Sequence, residues 1–168
     1  KVLQQLAGFE VEESGQTFAE NARLKALAAA KISGHLAIAD DSGLNVEALA
    51  GAPGVHSARY GSSDAVRISR LLEVLESSDN RLASFTCSLC VATPKAEILL
   101  EVEGRCEGLI TRSKRGKNGF GYDPIFEVLS TGLTFAEMDM EQKRLWGHRG
   151  RAFRLIEPGL KELLRVRR

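Results

Sequence analysis

Two adjacent carboxylates are the residues of this sequence best suited to chemistry. Asp40 and Asp41 follow a short apolar segment, residues 36–39, and precede Ser42 and Gly43, which predicts a strand that ends in a polar turn. Functional groups of α/β folds concentrate just beyond strand ends. Neighbouring carboxylates repel each other unless a cation or a proton lies between them, and Mg²⁺ prefers such oxygen ligands together with substrate phosphates. A polar turn that caps the next segment is the alternative interpretation.

A second acidic pair and a polar helix face extend this candidate site. Glu12 and Glu13 precede a predicted helix, on which Asn21 and Lys25 are four residues apart and share a face. An amide and an ammonium group on one face near a helix start can hold phosphate oxygens. A solvated loop and a solvated helix face are the alternatives.

A loop rich in glycine and aromatic residues is the next candidate. Residues 116–124 read GKNGFGYDP, which matches neither the P-loop nor the dinucleotide-binding glycine pattern. Its glycines allow the backbone to approach a flat ligand closely. Phe120 can stack on a base, an interaction that contributes about 1–3 kcal/mol, and Asp123 can accept hydrogen bonds from ring N–H groups. The alternative is a tight hairpin whose Phe and Tyr side chains pack into the core.

Basic residues near the last predicted helix complete the set. Lys143 precedes this helix, and His148 and Arg149 open it. A protonated histidine and an arginine at a helix start are unfavourable with the helix dipole, unless an anion or a polar ligand joins them. This conflict points to a ligand near His148 and Arg149.

The elements that must position these residues indicate an α/β fold with a mixed sheet. Thr17 and Glu20 form a capping box, which starts a helix over residues 17–32. Residues 64–75 form an amphipathic helix, and strands are predicted over residues 84–92 and 98–110. Strands and helices alternate irregularly, with hairpin-like pairs as well.

The C-terminal part of the chain predicts two further helices. Thr134 and Glu137 repeat the capping-box pattern, which opens a helix towards Trp146. A last helix starts near His148, and Pro158 followed by glycine should kink or split it.

Composition and charge exclude several classes of protein. The chain has 168 residues, of which 43% are hydrophobic and 27% charged, values typical of one soluble globular domain. We expect no membrane association, because no apolar run approaches the length of about 18 residues that a span needs. The net charge of +1 gives no strong attraction to nucleic acid, and the basic C-terminal segment is best explained as a solvated helix face. The three cysteines include Cys87 and Cys90, which we interpret as structural residues of a strand in a reducing, cytoplasmic protein.

Four segments together resemble the inosine triphosphate pyrophosphatase family, also called the Ham1-like or RdgB-like nucleotide pyrophosphatases. They occur in the family's order over most of the chain: TFAENARLKA (17–26), ADDSGLNVEALAGAPGVHSARYG (39–61), GKNGFGYDPIF (116–126), and TFAEM…K…HRGRA (134–152). The resemblance implies a long mixed β-sheet flanked by helices, with two lobes around a central cleft, in a homodimer. It implies hydrolysis of a purine nucleoside triphosphate, preferably ITP, dITP or XTP, to the monophosphate and pyrophosphate, with Mg²⁺ as cofactor.

The resemblance also assigns roles to individual residues. Asp41 matches the general base and metal ligand, with Asp40 beside it as metal or water support. Either Glu12 or Glu13 matches the upstream metal ligand, and Glu13 fits its spacing slightly better. The substrate contacts implied by the resemblance are Ser42, then Asn21 and Lys25 near the phosphates, and around the base Phe120, Gly121, Tyr122, Asp123, Lys143, His148 and Arg149.

The sequence departs from the family pattern in three places. The family's first strand and its phosphate-binding T/S-x-N-x-x-K loop are not recognisable, and Lys1 is the one candidate for the final lysine of that loop. The family's Ser-His-Arg is Gly-His-Arg here, after an unusual Trp146, and Pro158 breaks the last helix. We therefore expect one domain over residues 1–168 without the first strand and the loop.

An active enzyme is the preferred hypothesis. A truncated or degenerate relative that binds purine nucleotides without turnover comes second, and a nucleic-acid-binding module comes third.

Overall fold

Among the residues that the structure describes, four antiparallel strands in sequential order form the sheet that carries Asp40, Asp41 and Ser42. A computed structural model describes residues 11–166, so the interpretation of Lys1 lies outside the described residues. The strands are β1 (Ala37–Val46), β2 (Leu82–Ala92), β3 (Ile98–Ile110) and β4 (Phe126–Val128). The helices are α1 (Phe18–Ser33), α2 (Asp64–Val74), α3 (Met140–Trp146) and α4 (His148–Val166), with short 3₁₀ segments at Glu47–Leu49, Gly54–Arg59 and Asp123–Ile125.

The α/β fold class is confirmed, and helices cover both faces of the sheet. Small residues of α1 pack on one face against β1 and β2, in a cluster formed by Ala22, Ala26, Ala30, Ala37, Cys90 and Ala92. Helix α4 packs on the other face, where Ala152 and Ile156 contact Cys87 and its neighbours. The pairings among the described strands are all antiparallel, so the parallel pair of a mixed sheet is not among them. No helix within residues 11–166 combines the length and the apolar character that crossing a membrane requires.

Helix α1 begins and ends as its sequence predicts. The hydroxyl of Thr17 accepts a hydrogen bond from the N–H of Glu20 at 3.2 Å, and the Glu20 carboxylate accepts one from the N–H of Thr17. This pair completes a capping box, which satisfies two of the free donors at a helix start. Gly34 ends the helix in the left-handed conformation, at φ 67°.

Strand β1 contradicts the prediction of a turn at the two aspartates. It continues through Asp40 and Asp41, which pair with Leu89 and Ser88 of β2. The ladder with β2 extends from residue 37 to residue 46, so backbone pairing with β2 holds the whole segment extended. The two aspartates therefore lie in the middle of a strand.

The start of α3 also differs from the prediction. Only half of the second capping box forms, because the hydroxyl of Thr134 donates to the carbonyl of Arg115. Thr134 forms an isolated antiparallel bridge with Glu127, a turn follows it, and α3 begins only at Met140. Asp139 and Gln142 supply the complete capping box there.

Helix α4 runs without a break past Pro158, so the predicted split is wrong. Ile156 and Leu160 on either side of the proline pack in the same cluster, and Gly159 lies against Leu100. This packing outweighs the missing backbone hydrogen bond, because proline has no N–H to donate to the carbonyl of Arg154.

We expect Pro158→Ala to stabilise the protein, since it restores that donor at an exposed position. The free energy of unfolding should rise by about 1–3 kcal/mol, which corresponds to about 2–4 °C in Tm per kcal/mol. Thermal unfolding followed by circular dichroism measures the change. A Tm equal to or below that of the wild type would contradict this explanation.

Candidate functional site

Four side chains meet on the α1 face of β1. The ammonium group of Lys25 lies 2.7 Å from Oδ1 of Asp41 and 3.0 Å from Oε1 of Glu13. Asn21 donates to Oδ2 of Asp41 at 3.4 Å, and its own Oδ1 accepts from the N–H of Gly15 at 2.8 Å. Helical spacing places Asn21 and Lys25 on one face, as predicted. We call Glu13, Asn21, Lys25 and Asp41 the acidic cluster.

Burial and neighbouring charges shift the pKa values of Asp41 and Lys25 in opposite directions. Burial raises the pKa of Asp41 above its ordinary value, and the hydrogen bond and charge of Lys25 only partly offset that effect. Burial by itself would lower the pKa of Lys25, but Asp41 and Glu13 together raise it. Lys25 is therefore a permanent cation, and Asp41 is a more basic carboxylate than an exposed aspartate.

The acidic cluster has an arginine neighbour that sequence reasoning missed. Arg59, at the end of the 3₁₀ segment Gly54–Arg59, donates to Oε2 of Glu13 at 3.3 Å. The one sequence feature that could have indicated Arg59 as a site residue is its position in the segment 39–61, which carries the family resemblance. Contact with Glu13 could not be read from sequence, because 46 residues separate the two.

Asp40 and Glu12 lie outside the acidic cluster. Adjacent side chains of a strand point to opposite faces, so Asp40 is on the α4 side, where it accepts from Arg149 at 3.3 Å and from the hydroxyl of Ser42 at 3.2 Å. The prediction that Asp40 supports the same metal or water beside Asp41 is thus not met by the geometry. Glu12 is exposed, whereas Glu13 contacts Lys25, which favours Glu13 of the two predicted alternatives.

The second group of candidates gathers at the glycine-rich loop. The buried carboxylate of Asp123 accepts from the N–H of Phe120 at 2.9 Å and forms an ion pair with Lys143. The Phe120 ring is 64% exposed, and the cationic groups of Lys143 and Arg149 lie 5.1 and 5.8 Å from its centroid. We call Phe120, Asp123, Lys143, His148 and Arg149 the loop cluster.

Tyr122 and Gly121 both have hydrogen-bond partners within the protein. The Tyr122 ring is buried in the core, and its hydroxyl donates to the carbonyl of Ser57 at 2.9 Å. Burial raises the pKa of Tyr122 to about 12. The N–H of Gly121 donates to Oδ2 of Asp64 at 2.6 Å. The alternative of a hairpin with aromatic residues in the core is therefore correct for Tyr122 and wrong for Phe120.

His148 is buried and neutral, so it adds no positive charge to the start of α4. Its ring stacks on Phe85 with centroids 4.8 Å apart, and burial, together with nearby Arg149 and Lys143, lowers its pKa to about 3. Among the described residues, its Nδ1 atom is buried without a hydrogen-bond partner. A buried polar atom without a partner costs free energy that a bound ligand can recover.

The donor set of the acidic cluster fits a hard divalent cation. Glu13 and Asp41 converge on a single positive group, the ammonium of Lys25. Within residues 11–166, no group of three or more His, Cys, Asp or Glu side chains has the arrangement of a metal site. Mg²⁺ commonly binds proteins through one or two carboxylates and takes its other ligands from phosphates and water, so two converging carboxylates suffice.

Fold and site together define a class: α/β proteins in which one strand contacts an acidic cluster on one face and, through Arg149, the loop cluster on the other. Comparison with known proteins identifies the family, since the Ham1 family model matches residues 1–158. The chain belongs to the Ham1 family.

Individual relatives agree with this assignment. The chain is 67% identical over 154 residues to the dITP/XTP pyrophosphatase of Prochlorococcus marinus (strain MIT 9313), covering 92% of this chain and 76% of that protein. It is 58% identical over 163 residues to the enzyme of the same name from Parasynechococcus marenigrum (strain WH8102), covering 97% and 84%. The solved Ham1 protein of Staphylococcus aureus superposes with a TM-score of 0.87 at 44% identity, covering 92% and 82% of the two chains. The Coxiella burnetii HAM1 protein gives 0.85 at 47% identity, covering 91% and 81%.

Proposed function

We propose that this chain is a pyrophosphatase, which hydrolyses dITP, XTP and ITP to the nucleoside monophosphate and pyrophosphate and so removes deaminated purines from the nucleotide pool. The observation that carries the proposal is the convergence of Glu13 and Asp41 on one cation position, in a chain 67% identical to a dITP/XTP pyrophosphatase. Water adds to the α-phosphorus in this reaction, and the bond from that phosphorus to the bridging oxygen breaks.

The acidic cluster is suited to the phosphate end of the substrate. Glu13 and Asp41 would hold Mg²⁺, which neutralises the triphosphate and polarises the phosphorus when it is bound. Asp41 would also accept the proton of the attacking water as the general base. Lys25, Asn21 and Arg59 supply donors for the phosphate oxygens.

The loop cluster is suited to the base. The exposed Phe120 ring offers a stacking surface, and Lys143 and Arg149 bring donors beside it. A 6-keto oxygen accepts hydrogen bonds from such donors, whereas the amino group of adenine leaves them unpaired. Neutral His148 has one donor and one acceptor nitrogen to offer. The two clusters meet on β1, where Asp40 contacts Arg149 and Asp41 contacts Lys25.

We expect Phe120→Ala to raise KM for dITP about tenfold with little change in kcat, since stacking contributes equally to the bound substrate and to its transition state. Steady-state kinetics measures both constants. Phe153→Ala is the matched control, because Phe153 is also an exposed phenylalanine but lies on α4 outside the loop cluster. An unchanged KM in Phe120→Ala would remove Phe120 from the base site.

The experiment that tests the function is pyrophosphate release from dITP, XTP, ITP, GTP and ATP, with Mg²⁺ and with EDTA in its place. We expect turnover of the three deaminated nucleotides only with Mg²⁺, at a kcat/KM about 10²-fold above that of ATP. Equal hydrolysis of ATP would contradict selection of the base. A rise in Tm with dITP but no release of pyrophosphate would favour a relative that binds without turnover.

We also propose a single domain that forms a homodimer in a reducing, cytoplasmic setting. The three cysteines are buried and free, which suits such a compartment. Size-exclusion chromatography with light scattering measures the mass, and a value near 18.3 kDa would contradict the dimer.

A further inference from the structure

A carboxylate outside both clusters holds the backbone of the glycine-rich loop. Asp64 is the first residue of α2, and its Oδ2 accepts the N–H of Gly121 at 2.6 Å. Its Oδ1 accepts from Arg67 at 2.8 Å, so the two oxygens of the carboxylate have separate partners. Hydrogen bonds between a backbone N–H and an ionised carboxylate are about twice as strong as neutral ones.

Two hydrogen bonds of this kind, from backbone N–H groups to carboxylates, hold the backbone at Phe120. Its own N–H ends on the Asp123 carboxylate at 2.9 Å, and the next N–H along the chain ends on Asp64. The Phe120 ring itself is exposed, so packing does not fix the backbone that carries it. Gly119 and Gly121 on either side have φ of 80° and 59°, a region in which glycine has exceptional freedom. The two carboxylates therefore restrict the backbone conformation of residues 119–121, which the two glycines would otherwise leave free.

The segment that carries Asp64 also contacts the acidic cluster. Arg59 reaches Glu13, and five residues later Asp64 reaches Gly121. Two residues before Arg59, the carbonyl of Ser57 accepts a hydrogen bond from the Tyr122 hydroxyl, and the Ser57 hydroxyl accepts one from the N–H of Leu44 on β1. Residues 54–64 thus connect the strand of the aspartates with the loop of Phe120.

We infer that Asp64 is a positioning residue for base recognition: through the N–H of Gly121 it holds Phe120 in the orientation that accepts a purine. Asp64 does not touch the substrate and acts through the loop backbone. The inference rests on the proposed function for the identity of the base, and it assigns to Asp64 an effect on substrate binding and not on the chemical step.

The test compares Asp64→Ala, Asp64→Asn and Arg67→Met by kinetics with dITP. We expect Asp64→Ala to raise KM about tenfold with kcat within a factor of about two, because a charge-assisted hydrogen bond is lost from the loop. Asp64→Asn should recover part of the loss, since its amide oxygen still accepts the N–H. Arg67→Met removes the ion pair of Asp64 but leaves the bond to Gly121, and should behave like the wild type.

Two further readouts separate positioning from a general structural effect. The Gly121 amide proton, followed by ¹H–¹⁵N NMR, should move upfield in Asp64→Ala and keep its position in Arg67→Met. Calorimetric binding of dIMP should weaken about tenfold in Asp64→Ala, even if the wild type hydrolyses no nucleotide, in which case only the proposed function fails. An unchanged KM and dIMP affinity in Asp64→Ala, equal losses in Arg67→Met, or no dIMP binding to the wild type would each overturn the inference.

Discussion

Replacing Asp41 with asparagine is expected to lower kcat for dITP by about 10³-fold and to leave the fold intact. Asparagine has nearly the same shape, so Asn21 and Lys25 can still contact it. The substitution removes the negative charge that would hold Mg²⁺ and the only oxygen in that position able to take a proton from water. Pyrophosphate release measures the loss, and an unchanged circular dichroism spectrum and Tm within about 3 °C verify the fold.

Asp40→Asn is the matched control, because it makes the same chemical change one residue earlier. Asp40 faces Arg149 on the opposite side of β1, so we expect a loss of less than about tenfold, in KM more than in kcat. An equal loss in both variants would mean that both acids act on the same cation, contrary to the observed separation of their side chains.

Glu13→Gln and Glu12→Gln form a second pair of variant and control. Only Glu13→Gln should weaken the dependence of the activity on Mg²⁺.

The second large effect is expected from Lys25→Met, which removes the cation between Glu13 and Asp41. We expect kcat/KM to fall by about 10²-fold, since a donor for the triphosphate is lost. In the metal-free protein, the pKa of Asp41 should also rise, because burial raises it and Lys25 opposes that shift. A titration followed by ¹³C NMR of the Asp41 carboxyl group measures this change.

Binding of Mn²⁺ without nucleotide gives an independent readout of the same change. The Lys25 ammonium competes with a metal ion for the oxygens of Glu13 and Asp41, so Lys25→Met should bind Mn²⁺ more tightly while its turnover falls. Lys31→Met, an exposed change in the last turn of the same helix, should alter neither property. Weaker Mn²⁺ binding in Lys25→Met would show that Lys25 orders the carboxylates for the metal and does not compete with it.

Local chemistry made much of the fold predictable from sequence. The ends of helix α1, capped by Thr17 and Gly34, were predictable because capping groups lie next to the segment they terminate. The prediction was wrong where distant partners decide. The strand continues through Asp40 and Asp41 because β2 pairs with it, and α4 continues past Pro158 because β3 packs against it. In both places a local signal for a break is outweighed by contacts far away in sequence.

In the candidate site, too, the features set by local sequence were predictable and those set by distant partners were not. The shared face of Asn21 and Lys25 follows from helical spacing, and both residues are where the pattern predicts. The opposite directions of Asp40 and Asp41 depended on knowing that the strand continues. Arg59 and Asp64 contribute only through partners 46 and 57 residues away, which no local pattern can indicate.

The alternation of side chains along β1 makes strand register a part of the site. Asp41 serves the α1 face and Asp40 the α4 face, and the paired residues from Ala37 with Ala92 to Val46 with Ala83 fix that arrangement. A slip of one residue would turn every side chain of the strand to the other face. The carboxylate beside Lys25 would then be turned towards Arg149, and its neighbour would be turned towards Lys25. If a single residue inserted or deleted at the start of β1 caused such a slip, Asp40 and Asp41 would exchange faces, although every functional side chain would still be present.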